Sequence, residues 1–172
     1  MKKLHLIALT LILVISFTAC QSKDVDTNPN PIENSNLEGN LESILDKIYE
    51  TADVEDSFKD YIKDGLQTTE ITAENAKYFL GKEGIEFEEA IASEPIMSSS
   101  AYSLCLIRVK EGADIEKIKT DIKENVDPRK WVCVGVDPNN VIVDNIGDVV
   151  VLVMSDDVGS ALHDAFLQLK EK

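Results

Sequence analysis

Histidine is almost missing from this chain of 172 residues: there are two, and only His163 lies beyond the N-terminal twenty. A serine–histidine triad, a histidine-rich zinc site and an H-E-x-x-H helix all need histidine beside particular partners. His163 therefore reads as an ordinary helix residue. Basic residues are also few, 17 against 32 acidic ones, for a net charge of −15. Such a surface repels nucleic acid phosphate and anionic lipid headgroups, which disfavours DNA binding and electrostatic docking to membranes. It reads mainly as a solvated face, with a surface for cations or a basic partner as the functional alternative. G-x-G-x-x-G and Walker loops are absent, so nucleotide phosphates have no cradle. G-x-S-x-G and S-x-x-K are absent too. The sequence thus nominates no catalytic, cofactor-binding or metal-ligating residue, and the expectation is a protein that is not an enzyme and carries no cofactor.

A run of apolar residues long enough to span a bilayer is also lacking. Leu4 to Phe17 is apolar apart from His5, Thr10 and Ser16, but at roughly 14 residues it falls short of the ~20 a spanning helix needs. Lys2 and Lys3 precede it, and Thr18-Ala19-Cys20 closes it. That is the layout of a bacterial lipoprotein signal peptide, in which the cysteine takes a diacylglyceryl group and becomes the first mature residue. Phe17 stands where leucine is usual. An ordinary secretory signal with Cys20 as bystander is the weaker alternative, because polar Gln21-Ser22-Lys23 follows the cysteine at once. Two acyl chains hold firmly at ~0.8 kcal/mol per buried methylene. The mature chain, with 15 basic and 32 acidic residues and so a charge of −17, is expected on the extracytoplasmic face of a membrane, lipidated at Cys20.

Three segments follow: 1–19 as signal peptide, 20–40 as lipidated cysteine and tether, and 41–172 as one domain. The tether is rich in Asn, Asp, Ser and Pro and spans about 25 Å as a flexible chain. In the domain, Leu41, Ile44, Leu45 and Ile48 recur at helical spacing behind Asn40, a candidate N-cap. Val54, Phe58, Tyr61 and Ile62 continue the pattern to Gly65, and Thr72 to Leu80 forms a third helix ended by Gly81. Phe87–Ala92 and Tyr102–Lys110 read as strands. The second is apolar on both faces at Leu104–Ile107, which places it centrally in a sheet. A helix through Ile115, Ile118, Ile122 and Val126 stops at Asp127-Pro128. Trp131–Val136 is a candidate strand, Asn140–Ile146 and Val149–Met154 a hairpin about Gly147-Asp148. Ser155 or Asp156 caps a last helix with Leu162, Ala165, Phe166 and Leu169 inward. The order specifies an α+β fold: a small, mainly antiparallel sheet with helices packed on one face.

Within that frame Trp131 reads as a core anchor rather than a stacking platform, and Ser98-Ser99-Ser100 as a turn. Cys105 and Cys133 sit in apolar runs; they could pair in an oxidising exterior, but two buried thiols is the preferred reading. Asp137-Pro138-Asn139-Asn140 starts like a calcium loop but has Val141 and Ile142 where oxygen and glycine are needed. Glu86, Glu88 and Glu89, with Asp156 and Asp157, are the acids from which a paired-carboxylate hydrolase would be built.

The lipobox and tether, the segment Ser93-Glu94-Pro95-Ile96-Met97 leading into Tyr102–Lys110, and the hairpin Ile146-Gly147-Asp148-Val149-Val150 together resemble a family of lipid-anchored proteins of Gram-positive bacteria that share a domain of unknown function. The resemblance runs from about Leu41 to the C-terminus. It implies an exported α+β domain and brings no catalytic residues. The function expected is a non-enzymatic binding or accessory module at the membrane, its protein or small-molecule partner unspecified. The alternatives are a cell-envelope hydrolase using paired carboxylates, or a structural subunit of an envelope complex.

Overall fold

A computed structural model describes residues 36–171. It contains helices α1 (Leu41–Thr51), α2 (Asp56–Asp64), α3 (Ala76–Leu80), α4 (Ile115–Asn125) and α5 (Gly159–Gln168). The strands are β1 (Leu66–Glu70), β2 (Phe87–Pro95), β3 (Ser103–Val109), β4 (Val141–Ile146) and β5 (Val149–Met154). The strands form one sheet in the order β1-β2-β3-β5-β4, with every neighbouring pair antiparallel. This is the α+β class, and the apolar β3 is its central strand.

The helices do not share one face. Side chains alternate along a strand, and here both sets are buried. Leu104, Leu106, Val149, Val151 and Val153 pack with Leu41, Ile44, Ile48, Leu162 and Phe166 of α1 and α5. Cys105, Ile107, Val150, Leu152 and Met154 pack with Phe79, Leu80 and Ile122 of α3 and α4. The expected one-sided cover is thus corrected to a sheet between two helical layers. The six residues of β5, Val-Val-Val-Leu-Val-Met, are all buried because water reaches neither side.

Local chemistry sets the helix ends. Asn40 accepts from the Ser43 amide to open α1, and Asp114 does the same for α4 through Lys117, each satisfying an amide the helix leaves free. Gly81 ends α3 at φ +80°, and a Cβ there would run into the backbone of Asn125 and Val126 at the end of α4. Only glycine allows that approach.

Four segments differ from the sequence reading. Leu66–Glu70, to which the sequence reading assigns no element, is a strand on the sheet edge. The third helix begins at Ala76 rather than Thr72. Trp131–Val136 is not a strand. Val132 N–H bonds to Ser98 O, Val136 N–H to Pro128 O, and Cys133 takes φ +62°, a left-handed turn that breaks any ladder. The final helix begins at Gly159 with Val158, rather than Ser155 or Asp156, at its N-cap position; Ser155 Oγ instead accepts from the Asp157 and Val158 amides ahead of it.

The packed chain also begins before Leu41. Leu37 lies against the core, and Asn36 Oδ1 accepts from the Asp148 amide in the β4–β5 turn. The Arg108 guanidinium binds the carbonyls of Leu37 and Gly39 and both Asp148 carboxylate oxygens. Gly147 in that turn, at φ +53°, has Asn36 directly against the place of a side chain. This clasp defines one end of the sheet. The opposite end holds the start of β3, the ends of β2 and β5, and the candidate site.

Candidate binding site

A cleft of about 770 Å³ opens at that far end. Its lining comes from the loop between α1 and α2, from α2, and from the chain entering α5: Asp53, Glu55, Phe58 and Tyr61 on one side, Asp156 and Asp157 on the other. The Phe58 ring is braced edge-on by buried Tyr102 at 5.5 Å, and lies 6.1 Å from Tyr61. Behind them, Tyr49 donates to Ser93 Oγ at 2.7 Å and shares a 2.9 Å hydrogen bond with the Tyr102 hydroxyl. Burial pushes both phenols above their ordinary pKa, Tyr102 strongly, so the wall stays neutral and fixed. Asp156 is held below the usual carboxylate range, first by the Asn140 side-chain amide and then by the Asp137 N–H. It therefore remains ionised. Four carboxylates over two aromatic rings suit a positively charged group, attracted by charge and by the ring faces.

On the opposite face of the same end, Lys130 is buried. Its ammonium lies 2.5 Å from Glu94 Oε1, off the axis of a directed hydrogen bond. It sits over the rings of Tyr78, Phe79 and Trp131 at 4.7, 5.3 and 5.4 Å. Ser103 donates to Glu94 Oε1 at 2.7 Å and Tyr78 to Oε2 at 3.4 Å. Glu94 continues the inward alternation of Ala90 and Ala92, which is why a carboxylate enters the core here. The lysine neutralises it, and the two together pin the 127–137 segment over the sheet.

The residues singled out from the sequence are distributed as follows. Cys20 lies outside the described residues. Trp131 is buried in the core, as read. Cys105 and Cys133 are both free; burial pushes the Cys105 thiol up to about 11. Cys133 is exposed, correcting the reading of two buried thiols: the left-handed turn at this residue carries its side chain away from the sheet. Ser98-Ser99-Ser100 lies in a turn, and Asp137 caps the short 3-10 turn Pro138–Asn140. Glu86 and Glu89 face Lys110 and Arg108 at the clasp end, the full length of the sheet from Asp156 and Asp157, so these acids form no common pair. Among the described residues no three metal-ligating side chains converge, and no helix is long and apolar enough to cross a membrane.

His163 has a partner the sequence did not reveal. Its Nε2 lies 2.8 Å from Asp144 Oδ2, across from Lys119 on α4. Burial alone would raise the Asp144 carboxyl, but the His163 hydrogen bond, the Asn145 amide and nearby Lys119 outweigh it and hold the pKa down. A depressed carboxyl stabilises the fold above its unfolded value of about 3.9 and loses that contribution as pH falls through the folded value. Asp144→Asn should therefore cost up to about 1 kcal/mol at neutral pH, the group being partly solvated. The gap to the unsubstituted chain should close below about pH 4, as read by urea unfolding at both pH values.

The chain matches no family model, curated protein or solved structure among those compared.

Proposed function

We propose that this chain is a lipid-anchored extracytoplasmic protein, lipidated at Cys20, whose domain is a non-enzymatic module that binds a cationic group. The cleft between α2 and the start of α5 carries the reading: four carboxylates and the Phe58 and Tyr61 rings line it on a strongly acidic domain. The ligand is an amine, a quaternary ammonium or the lysine and arginine side chains of a partner. The non-enzymatic part rests on the sequence, in which no catalytic motif was found.

The test is calorimetric titration of the mature chain with choline and, separately, with a lysine-rich peptide. Saturable binding that weakens with salt is expected. Phe58→Ala should weaken it roughly fivefold, the worth of one cation–π contact, and Asp157→Asn should reduce its salt dependence. Binding of choline would mark a small-molecule site and binding of the peptide alone a protein partner. Binding of neither would overturn the reading. Mass spectrometry of the native N-terminus tests the anchor independently, and an unmodified Cys20 would remove it.

A further inference from the structure

Six large apolar side chains are exposed among the described residues, and five of them, Tyr78, Ile96, Met97, Val132 and Val134, gather at one place. Ile96 is 57% exposed, Met97 70% and Val132 61%. The 96–101 loop, which joins β2 to β3, is held to the 129–135 loop by the Val132–Ser98 backbone bond. The Lys130–Glu94 pair and the Tyr78 ring support both from below. In a chain with 32 acidic residues these two loops contain none; Pro95–Ile107 is wholly uncharged, and Pro128–Val136 carries only Arg129 and Lys130. An apolar tip with an exposed tyrosine, Tyr78, and a flanking arginine is a composition that partitions into the boundary of a bilayer, with Trp131 buried directly beneath it.

We propose that this tip inserts shallowly into the membrane that carries the lipid anchor. The proposal rests on the anchored reading, since tethering supplies the local concentration that a small apolar surface needs. Geometry permits it. The tether leaves the domain at the clasp end, about 20 Å from the tip for a six-residue strand. Residues 20–35 can reach about 54 Å when extended. The general acidity of the surface opposes electrostatic adsorption, and within these two loops no carboxylate adds to that repulsion. The acidic cleft is lined from the α1–α2 and α5 side of the sheet, and the tip is carried on the α3 side.

The experiment uses the chain from Cys20 to Lys172 with Cys133→Ser, joined at Cys20 to a thiol-reactive diacyl phospholipid in vesicles of phosphatidylcholine and phosphatidylglycerol brominated on the acyl chains. Trp131 is the only tryptophan, so its emission reports the tip alone. The expected result is quenching by the brominated lipid, cut at least roughly twofold by Met97→Asp with Val132→Asp, each replacing a side chain whose transfer into lipid favours binding about tenfold. Both positions are exposed, so the unfolding midpoint should not move. Emission equal in brominated and plain vesicles, or equal quenching in the double variant, would overturn the proposal. So would a concentration-dependent dimer abolished by the same substitutions, which would make a second copy the occupant. Because the anchor is attached chemically, failure of native lipidation shows in the N-terminal mass and not in this assay.

Discussion

Lys130→Ala is expected to destabilise the domain by about 3–5 kcal/mol, the cost of leaving a buried charge without its partner. The Glu94 carboxylate would keep its hydrogen bonds from Ser103 and Tyr78 but lose the cation beside it, and three aromatic rings would lose their contact with the ammonium. Double substitution separates the charge from the packing. Glu94→Gln with Lys130→Met retains an acceptor for Ser103 and fills much of the same volume, and should recover most of the loss, because an apolar replacement of a buried pair is often close to neutral. Urea unfolding of the single and double variants reads both. A single variant within about 1 kcal/mol of the unsubstituted chain would mean that the site behaves as a solvated surface pair.

Arg108→Ala is the second large effect, about 3 kcal/mol. This one guanidinium binds the Asp148 carboxylate and the carbonyls of Leu37 and Gly39, with Glu89 4.0 Å away, and a hydrogen bond to a charged group contributes about 1.5–3 kcal/mol net of exchange with water. The loss should be local as well as global. Hydrogen exchange at the Asp148 amide, which Asn36 protects, should accelerate more than exchange in β5. Arg108→Lys should recover part of the stability but not the pairing of two carbonyls with one carboxylate, because an ammonium lacks the planar fork.

Much of this fold is legible in the residues, for identifiable reasons. The Leu41–Ile48 spacing with Asn40 at its cap, the hairpin about Gly147-Asp148 and the two-sided apolar run of β3 are local signals that agree with their tertiary setting. The edge strand Leu66–Glu70 carries no such signal. Leu-Gln-Thr-Thr-Glu is half solvated and owes its conformation to pairing with β2. Trp131–Val136 misleads in the other direction, since Val132 and Val134 serve exposed turns pinned by Lys130. The one-sided helix layer fails on the evidence of β5 itself: six successive apolar residues require cover on both faces. The cleft was not legible at all. Asp53 and Glu55 are separated from Asp156 and Asp157 by about a hundred residues, and among so many acids their meeting leaves no pattern. The Asp144–His163 pair is hidden for the same reason.

The Arg108 clasp also determines how the domain bears mechanical load. A pull on the chain ahead of Asn36 passes through Arg108 into β3, the central strand, at the end where it pairs with both β2 and β5. Directed away from the clasp end along the strands, that force would shear many ladder hydrogen bonds at once instead of peeling them singly from an edge. On the proposed anchored reading, the chain ahead of Asn36 is thus made fast to the central strand, and load on it is shared across the whole sheet.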